Sequence, residues 1–523
     1  MLIFTKLQQK ILDRFIASNS LEDAELYTNF NFSKYIRPSV LREDGIWITN
    51  DGEFAWICEL APRIRMGSAT AETFEPILSK IPIGFYSQII LFGGKNIEGY
   101  ISEHKKTHSS DNPLIQKTLD NYLEFLRTKT NEPIGKEFKT QLKNNRVIFV
   151  LKNKNVDKLK EVREEISNGL DVSNFFPKTL GEHELKYLFY EMLNPNHNLQ
   201  NIPEYNERKY FNQQIMTTDN KIYGYKDSIV VDNKYFKALT PIQLPKYAHI
   251  SQFGLKLGDY LGDGMNGNQF IDTYMITLNL TRTSTSEIGS IKRAKSILKK
   301  AGNSSKAKKE KTESDNIVDG INDRTPMFKM DLNIIIGGES YKKVKANCER
   351  IKLFWQKKDE SGEEDVGNII LEDFKYQMIP LFIGSLPAGI NNEYFKLITK
   401  SANENHFVNE VCQFLPLEVD LKGNASHLLF ASRRAQMCGI DFFKSNAAKN
   451  GFIIAGSGGG KSFLANYIAF MEYIRGTKLF IIDVGNSYKK LCELVGGQYI
   501  SVDTKNPISF NPFSGVQTAY NRH

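Results

Sequence analysis

Cysteine is scarce: Cys58, Cys348, Cys412, Cys438 and Cys492 are far apart, odd in number and form no C-x-x-C pair. That spacing excludes a disulfide framework or a zinc ribbon, and each reads as a small buried hydrophobe in a reducing compartment. No apolar run approaches the roughly 18–20 residues that cross a bilayer. The N-terminus, Met1-Leu-Ile-Phe-Thr-Lys, runs into an amphipathic pattern (Leu7, Ile11, Leu12, Phe15) and lacks the apolar stretch and cleavage site of a signal peptide. A cytoplasmic, soluble chain is expected, with any membrane association peripheral. Internal repeats and long low-complexity tracts are missing. So are catalytic triads and metal clusters. The eight histidines show no ligand spacing; His104 and His108 are four apart, but flanking lysines favour a solvated face over a metal pair. Glu363-Glu364 falls in a polar turn and reads as solvent-facing.

Charge of one sign is also modest. A net +8 over 523 residues, with pI near 8.9, permits a nucleic-acid or anionic membrane partner without demanding one. What is present is ordinary globular material, 41% hydrophobic and 24% charged, enough for several cores and about three domains.

The expected fold class is α/β: N-terminal α/β (α+β) domains followed by the first part of a RecA-like P-loop parallel sheet. The expected domains are 1–200, 201–414 and 415–523. In the first, Gly45–Asn50 and Glu53–Leu60 read as strands around a tight Asp51-Gly52 turn. A helix over Ala71–Lys80 and strands Gln88–Phe92 and Arg146–Leu151 follow, then a helix over Asp157–Leu170. In the second, Thr273–Leu280 and Phe328–Ile336 read as strands, Tyr341–Trp355 as a helix, and Phe374–Leu386 as strand and loop. Phe414–Asp420 and Leu428–Ala431 read as strands leading into the third.

Between 281 and 325 the composition shifts. Lys292, Arg293, Lys295, Lys299, Lys300, Lys306, Lys308, Lys309 and Lys311 cluster with little acid until Glu310. The pattern suits a solvated helical excursion better than a nucleic-acid or lipid arm, since no aromatics interleave for base stacking.

The strongest signal is Gly451-Phe-Ile-Ile-Ala-Gly-Ser-Gly-Gly-Gly-Lys-Ser462. Phe452–Ala455 reads as a short buried strand. The glycine-rich turn leads into a helix with Leu464, Ile468, Met471 and Ile474 on one face, stopped at Gly476. Glycines let successive N–H groups face one anion, and the helix N-terminus adds donors and positive potential. Gly456, Ser457, Gly458, Gly459, Gly460, Lys461, Ser462 and Phe463 are the candidate ATP-binding residues. Lys461 reaches the β- and γ-phosphates, and Ser462 Oγ is the candidate Mg²⁺ ligand. The first position of G-x-x-x-x-G-K-[ST] is Ala455, a small departure. Lys478–Val484 reads as a buried parallel strand ending in Asp483.

The run Ile481-Ile-Asp-Val-Gly-Asn-Ser-Tyr-Lys-Lys-Leu-Cys-Glu-Leu-Val-Gly-Gly-Gln-Tyr-Ile500 resembles the segment after the P-loop in type IV secretion ATPases, specifically the TraC branch of conjugation systems, in the HerA/FtsK-type P-loop superfamily. Ser509-Phe-Asn-Pro-Phe513 resembles the family's next segment. Arg433-Arg-Ala-Gln436, followed by Asp441-Phe-Phe443, resembles its Arg-Arg-Gly-Gln element, with Ala435 in place of glycine. Thr49–Leu60, Ile81–Phe92 and Leu185–Pro195 resemble its N-terminal half more faintly.

The resemblance implies an ATP-driven motor, peripheral to the inner membrane, that powers pilus assembly and substrate transfer, commonly as a homo-hexamer. It assigns Lys461 and Ser462 to nucleotide and Mg²⁺, and gives Arg433, Arg434 and Gln436 a weaker role in nucleotide contact or loop positioning. The family's Walker-B aspartate lies on a later strand, so Asp483 is expected to shape the site rather than hold Mg²⁺. The chain reaches His523 about sixty residues past the P-loop, so a truncated or split family member is expected, able to bind phosphate but incomplete for hydrolysis. The catalytic residues are therefore not assigned. Two other readings stay open: a non-catalytic interaction subunit with a vestigial P-loop, and a DNA-pumping motor.

Overall fold

The computed structural model describes residues 25–28, 32–135, 140–245, 248–251, 253–254, 271, 273–298, 319–356, 368–398, 405–432, 434–444 and 449–501. The chain forms two compact units, one of residues 1–99, 126–423 and 429–438, the other of 100–125, 424–428 and 439–523.

The first unit is built on a 14-stranded sheet with the order β1-β8-β9-β10-β12-β11-β5-β6-β4-β3-β2. Its strands are β1 (Glu25–Thr28), β2 (Pro38–Leu41), β3 (Trp47–Thr49), β4 (Phe54–Leu60), β5 (Tyr86–Gly94), β6 (Asn144–Asn153), β7 (Lys178–Thr179), β8 (Lys221–Gly224), β9 (Ile229–Val231), β10 (Lys234–Gln243), β11 (Thr273–Arg282), β12 (Met327–Gly338), β13 (Ile370–Asp373) and β14 (Asn405–Phe407). Strand β13 pairs with β10, β14 with β12 and β7 with β4, off the main path. The ladders are antiparallel. The alternation of strands and helices in the sequence therefore builds an α+β unit. Tight turns set that direction: Asp232 and Asn233, between β9 and β10, both take positive φ (49° and 61°), which a two-residue hairpin turn requires. Long-range pairing completes the sheet, with Ile276 of β11 opposite both Leu91 of β5 and Ile334 of β12.

Both sheet faces are buried, which explains the unbroken apolar runs. Side chains alternate between faces along each strand. Ile89, Leu91, Phe149, Leu151, Ile334 and Ile336 pack with α1 (Ser68–Ser79), α4 (Val156–Val172) and α7 (Tyr341–Trp355). Ile90, Phe92, Ile148, Val150 and Ile335 pack with α5 (Glu182–Leu193), α8 (Met378–Ser385) and α9 (Asn392–Leu397). Helix α7 shows the logic. Ser340 caps its first turn by accepting the Lys343 N–H, and Val344, Cys348, Ile351 and Trp355 share its buried stripe. Each such side chain contributes on the order of 1.5–3 kcal/mol by leaving water.

Two expected strands are corrected. Phe374–Leu386 contains α8, because both faces of this short apolar run are buried and Pro380 sits in its first turn, where no intrahelical N–H bond is lost. Phe414–Asp420 forms no ladder beyond a parallel bridge from Glu418 to Arg63. The excursion after β11 begins as α6 (Thr285–Leu298). Lys299, Lys300, Lys306, Lys308, Lys309 and Lys311 lie outside the described residues, as do Glu363, Glu364 and Ser509–Phe513.

The second unit takes most of α2 (Glu98–Thr107) and α3 (Pro113–Thr128), which leave the sheet between β5 and β6. It also takes the segments flanking the hairpin β15 (Leu428–Ala431) and β16 (Met437–Ile440), followed by α11 (Lys461–Ile474) and α12 (Lys489–Leu494). Within it Tyr122 of α3 lies against Tyr467 of α11, ring centroids 5.5 Å apart.

Candidate nucleotide site

The glycine-rich loop folds as its composition demands. Gly458 and Gly460 take φ of +75° and +80°, a region closed to most side chains. Gly459 is needed for a different reason. Its N–H bonds the Gly456 carbonyl at 3.2 Å, and a Cβ there would meet the Ala455 Cβ at 2.9 Å. Ala455 is thus compatible with the loop because Gly459 stands opposite it. Gly460 is the N-cap of α11, so Lys461 and Ser462 open the helix and its first N–H groups face the loop. Lys461 Nζ donates to the carbonyls of Ala455 and Gly456 at 2.8 and 2.9 Å, bending its ammonium back over the loop. A phosphate placed on the loop would compete for that ammonium as the stronger, charged acceptor. Phe463 is largely exposed.

The flanking segments differ from expectation. Neither Phe452–Ala455 nor Lys478–Val484 forms a strand, and Phe452, Ile454, Phe480, Ile482 and Val484 are each at least 86% exposed. A β-ladder needs a neighbour for its N–H and C=O groups, and an apolar run alone supplies none. A parallel P-loop sheet is therefore not formed among the described residues. The helix after the loop forms and ends before Gly476 as expected, but of the expected face only Met471 is buried, with Phe470, while Leu464, Ile468 and Ile474 are half-buried.

Asp483 Oδ2 accepts the Tyr488 N–H at 3.2 Å, a local turn contact. Asn466 of α11 donates to Ser462 O at 2.7 Å and to Ser487 O at 3.3 Å, so it ties the base of the loop to the segment after Asp483. Sequence reasoning missed Asn466, whose signal is only its place one turn beyond Ser462. Arg434 and Gln436 belong to the first unit. Arg434 pairs with Glu418 at 2.9 Å, and Gln436 Oε1 accepts the Asn145 N–H at 2.9 Å. Arg433 lies outside the described residues.

His104 and His108 are corrected outright. They are buried, because α2 turns them inward while Lys105 and Lys106 face solvent. Among the described residues no group of three His, Cys, Asp or Glu is placed to hold a metal ion.

The family model described as TraC protein matches residues 41–388, about two thirds of the chain. The chain belongs to the TraC protein family. A second model, the TraG P-loop domain, matches residues 442–520 and so contains the glycine loop of this TraC-family chain. The chain is similar to "Protein TraC" of Escherichia coli (strain K12), 31% identical over 109 residues; the match covers 20% of this chain and 12% of that protein. No described helix is long and apolar enough to cross a membrane.

Proposed function

We propose that this chain is an ATP-binding component of a conjugative type IV secretion system, acting with transfer-apparatus proteins at the inner membrane. The observation that carries it is the joining, within a TraC-family chain, of a P-loop domain match to a loop with left-handed Gly458 and Gly460 and with Lys461 and Ser462 at a helix start. In this reading the loop amides and Lys461 bind the ATP phosphates, and Ser462 Oγ ligates Mg²⁺. ATP and Mg²⁺ are the small ligands this loop suits. Nucleotide occupancy would then drive pilus assembly and substrate transfer, in a homo-hexamer by family resemblance.

A donor cell lacking the native chain tests this reading. Complementation with Lys461→Ala, at equal protein level, is expected to reduce transfer at least 100-fold relative to the wild-type chain. Full transfer by Lys461→Ala would favour the interaction subunit whose P-loop is vestigial.

A further inference from the structure

His104 near the end of α2 and His108 just past it lie one turn apart, and their rings stack 4.0 Å apart and within 7° of parallel. The ring of His427 lies 4.7 Å from that of His108. His427 Nε2 in turn meets Glu472 Oε1, near the C-terminal end of α11, at 2.7 Å. None of the four is more than 5% exposed, and all belong to the second unit.

The partners set the tautomers. A carbonyl only accepts, so His104 Nδ1–H donates to Ser426 O at 3.0 Å and His108 Nδ1–H to His104 O at 3.1 Å, with Thr107 Oγ1 2.9 Å from the same His108 nitrogen. His427 Nε2–H donates to the Glu472 carboxylate. His104 Nε2, His108 Nε2 and His427 Nδ1 remain, three buried nitrogens without a hydrogen-bond partner. Three imidazole nitrogens without partners thus share one small buried volume. They do not converge on a metal, since in-plane lone pairs of parallel rings cannot meet at one point.

The surrounding charges decide how protons are received. Glu103 accepts from Ser426 Oγ at 2.9 Å. Glu472 already accepts His427 and, at 3.1 Å, Thr477 Oγ1. Arg475 pairs with Asp441 at 3.0 Å, yet still adds like charge near His108. Among the described residues Glu472 is thus the one carboxylate bonded to the stack, and it bonds His427 rather than the parallel pair. Burial holds His104 below its ordinary value, and burial with the neighbouring imidazole takes His108 down to about 4.

We propose that the stacked His104–His108 pair, packed on His427, is a proton-operated latch, which fastens the end of the P-loop helix α11 to the α2 segment when the pair is neutral and releases it when the pair is protonated. The sign follows from linkage. The closed latch holds His104 and His108 neutral below their ordinary value, so the open state binds more protons as pH falls from about 6.5 toward 4, the value His108 reaches when closed. The opening constant rises up to tenfold per pH unit for each proton taken up, and is flat above pH 7. The consequence for nucleotide binding rests on the P-loop reading; the latch itself does not.

Amide hydrogen exchange on the whole chain without nucleotide tests it. After correction for intrinsic rates, protection over Phe470–Arg475 is expected to fall at least tenfold from pH 7.5 to 5.5, while α7 stays protected. In His108→Phe the fall should shrink, because only His104 of the stacked pair is left to take up a proton. Exchange at the histidine C2 position, which needs no variant, should show His104 and His108 titrating below the ordinary imidazole value in step with the loss. Equal protection at both pH values, an equal loss in α7, an undiminished fall in His108→Phe, or ordinary titration near 6.5 would each overturn the latch. ATP binding is measured separately at pH 7.5, so its failure would sink the P-loop reading alone.

Discussion

Arg146→Met is the most informative test of how the first unit is held together. Arg146 of β6 gives Nε and Nη2 to Glu59 Oε2 of β4 at 3.0 and 2.7 Å, and Lys422 Nζ reaches Oε1 at 3.0 Å. Burial alone would raise the Glu59 carboxyl, but Arg146 and Lys422 outweigh it and hold it far below the usual range. Removing one partner of a buried pair costs about 3–5 kcal/mol. Here both side chains keep some exposure, 13% and 22%, and Lys422 remains, which brings the expected loss to about 2–3 kcal/mol at pH 7. Guanidinium unfolding followed by tryptophan fluorescence reads this unit, since Trp47, Trp56 and Trp355 all lie buried in it. The pH dependence adds a second check. A carboxylate with a depressed folded value contributes stability above its ordinary value of about 4.5, lost as pH falls toward the folded one. The gap between wild type and Arg146→Met should therefore narrow below pH 5. A loss under 0.5 kcal/mol at pH 7, or a gap unchanged down to pH 4, would refute the reasoning.

Two further substitutions probe other parts. Asp331 is fully buried and accepts Tyr394 Oη–H at 2.6 Å, Asn279 Nδ2–H at 3.0 Å and Asn333 Nδ2–H at 2.6 Å; Tyr394→Phe should cost about 1–3 kcal/mol in the same unfolding assay, by leaving that oxygen short of a donor. Gly458→Val places a β-branched side chain at φ +75°, so MgATP affinity should fall about tenfold by titration, whereas Gly451→Ala, at open space and ordinary φ, should leave it unchanged.

Much of the first unit was legible because local chemistry decides it. Tyr341–Trp355 was readable end to end from its serine cap and apolar stripe, and β4, β5 and β6 from apolar runs bounded by turn residues. What stayed hidden is non-local. Nothing in residues 274–281 states that they pair with 86–93, since period-2 patterning fixes a face and leaves the neighbour open. For the same reason strand patterns at Phe452–Ala455 and Lys478–Val484 yield no strands. The loop between them was readable because its glycines answer to backbone geometry at single positions. His104 and His108 were misread because the lysines beside them say nothing about the opposite side of the helix.

The proposed function stands on residues 456–463 holding the phosphates of ATP. Equilibrium titration of the purified chain with ATP, with and without Mg²⁺, tests it most directly when run beside Lys461→Ala. Submillimolar affinity that depends on Mg²⁺ and weakens at least tenfold in the variant, about 1.4 kcal/mol or more, is expected. Equal affinity in wild type and Lys461→Ala, or no saturable binding in either, would contradict it.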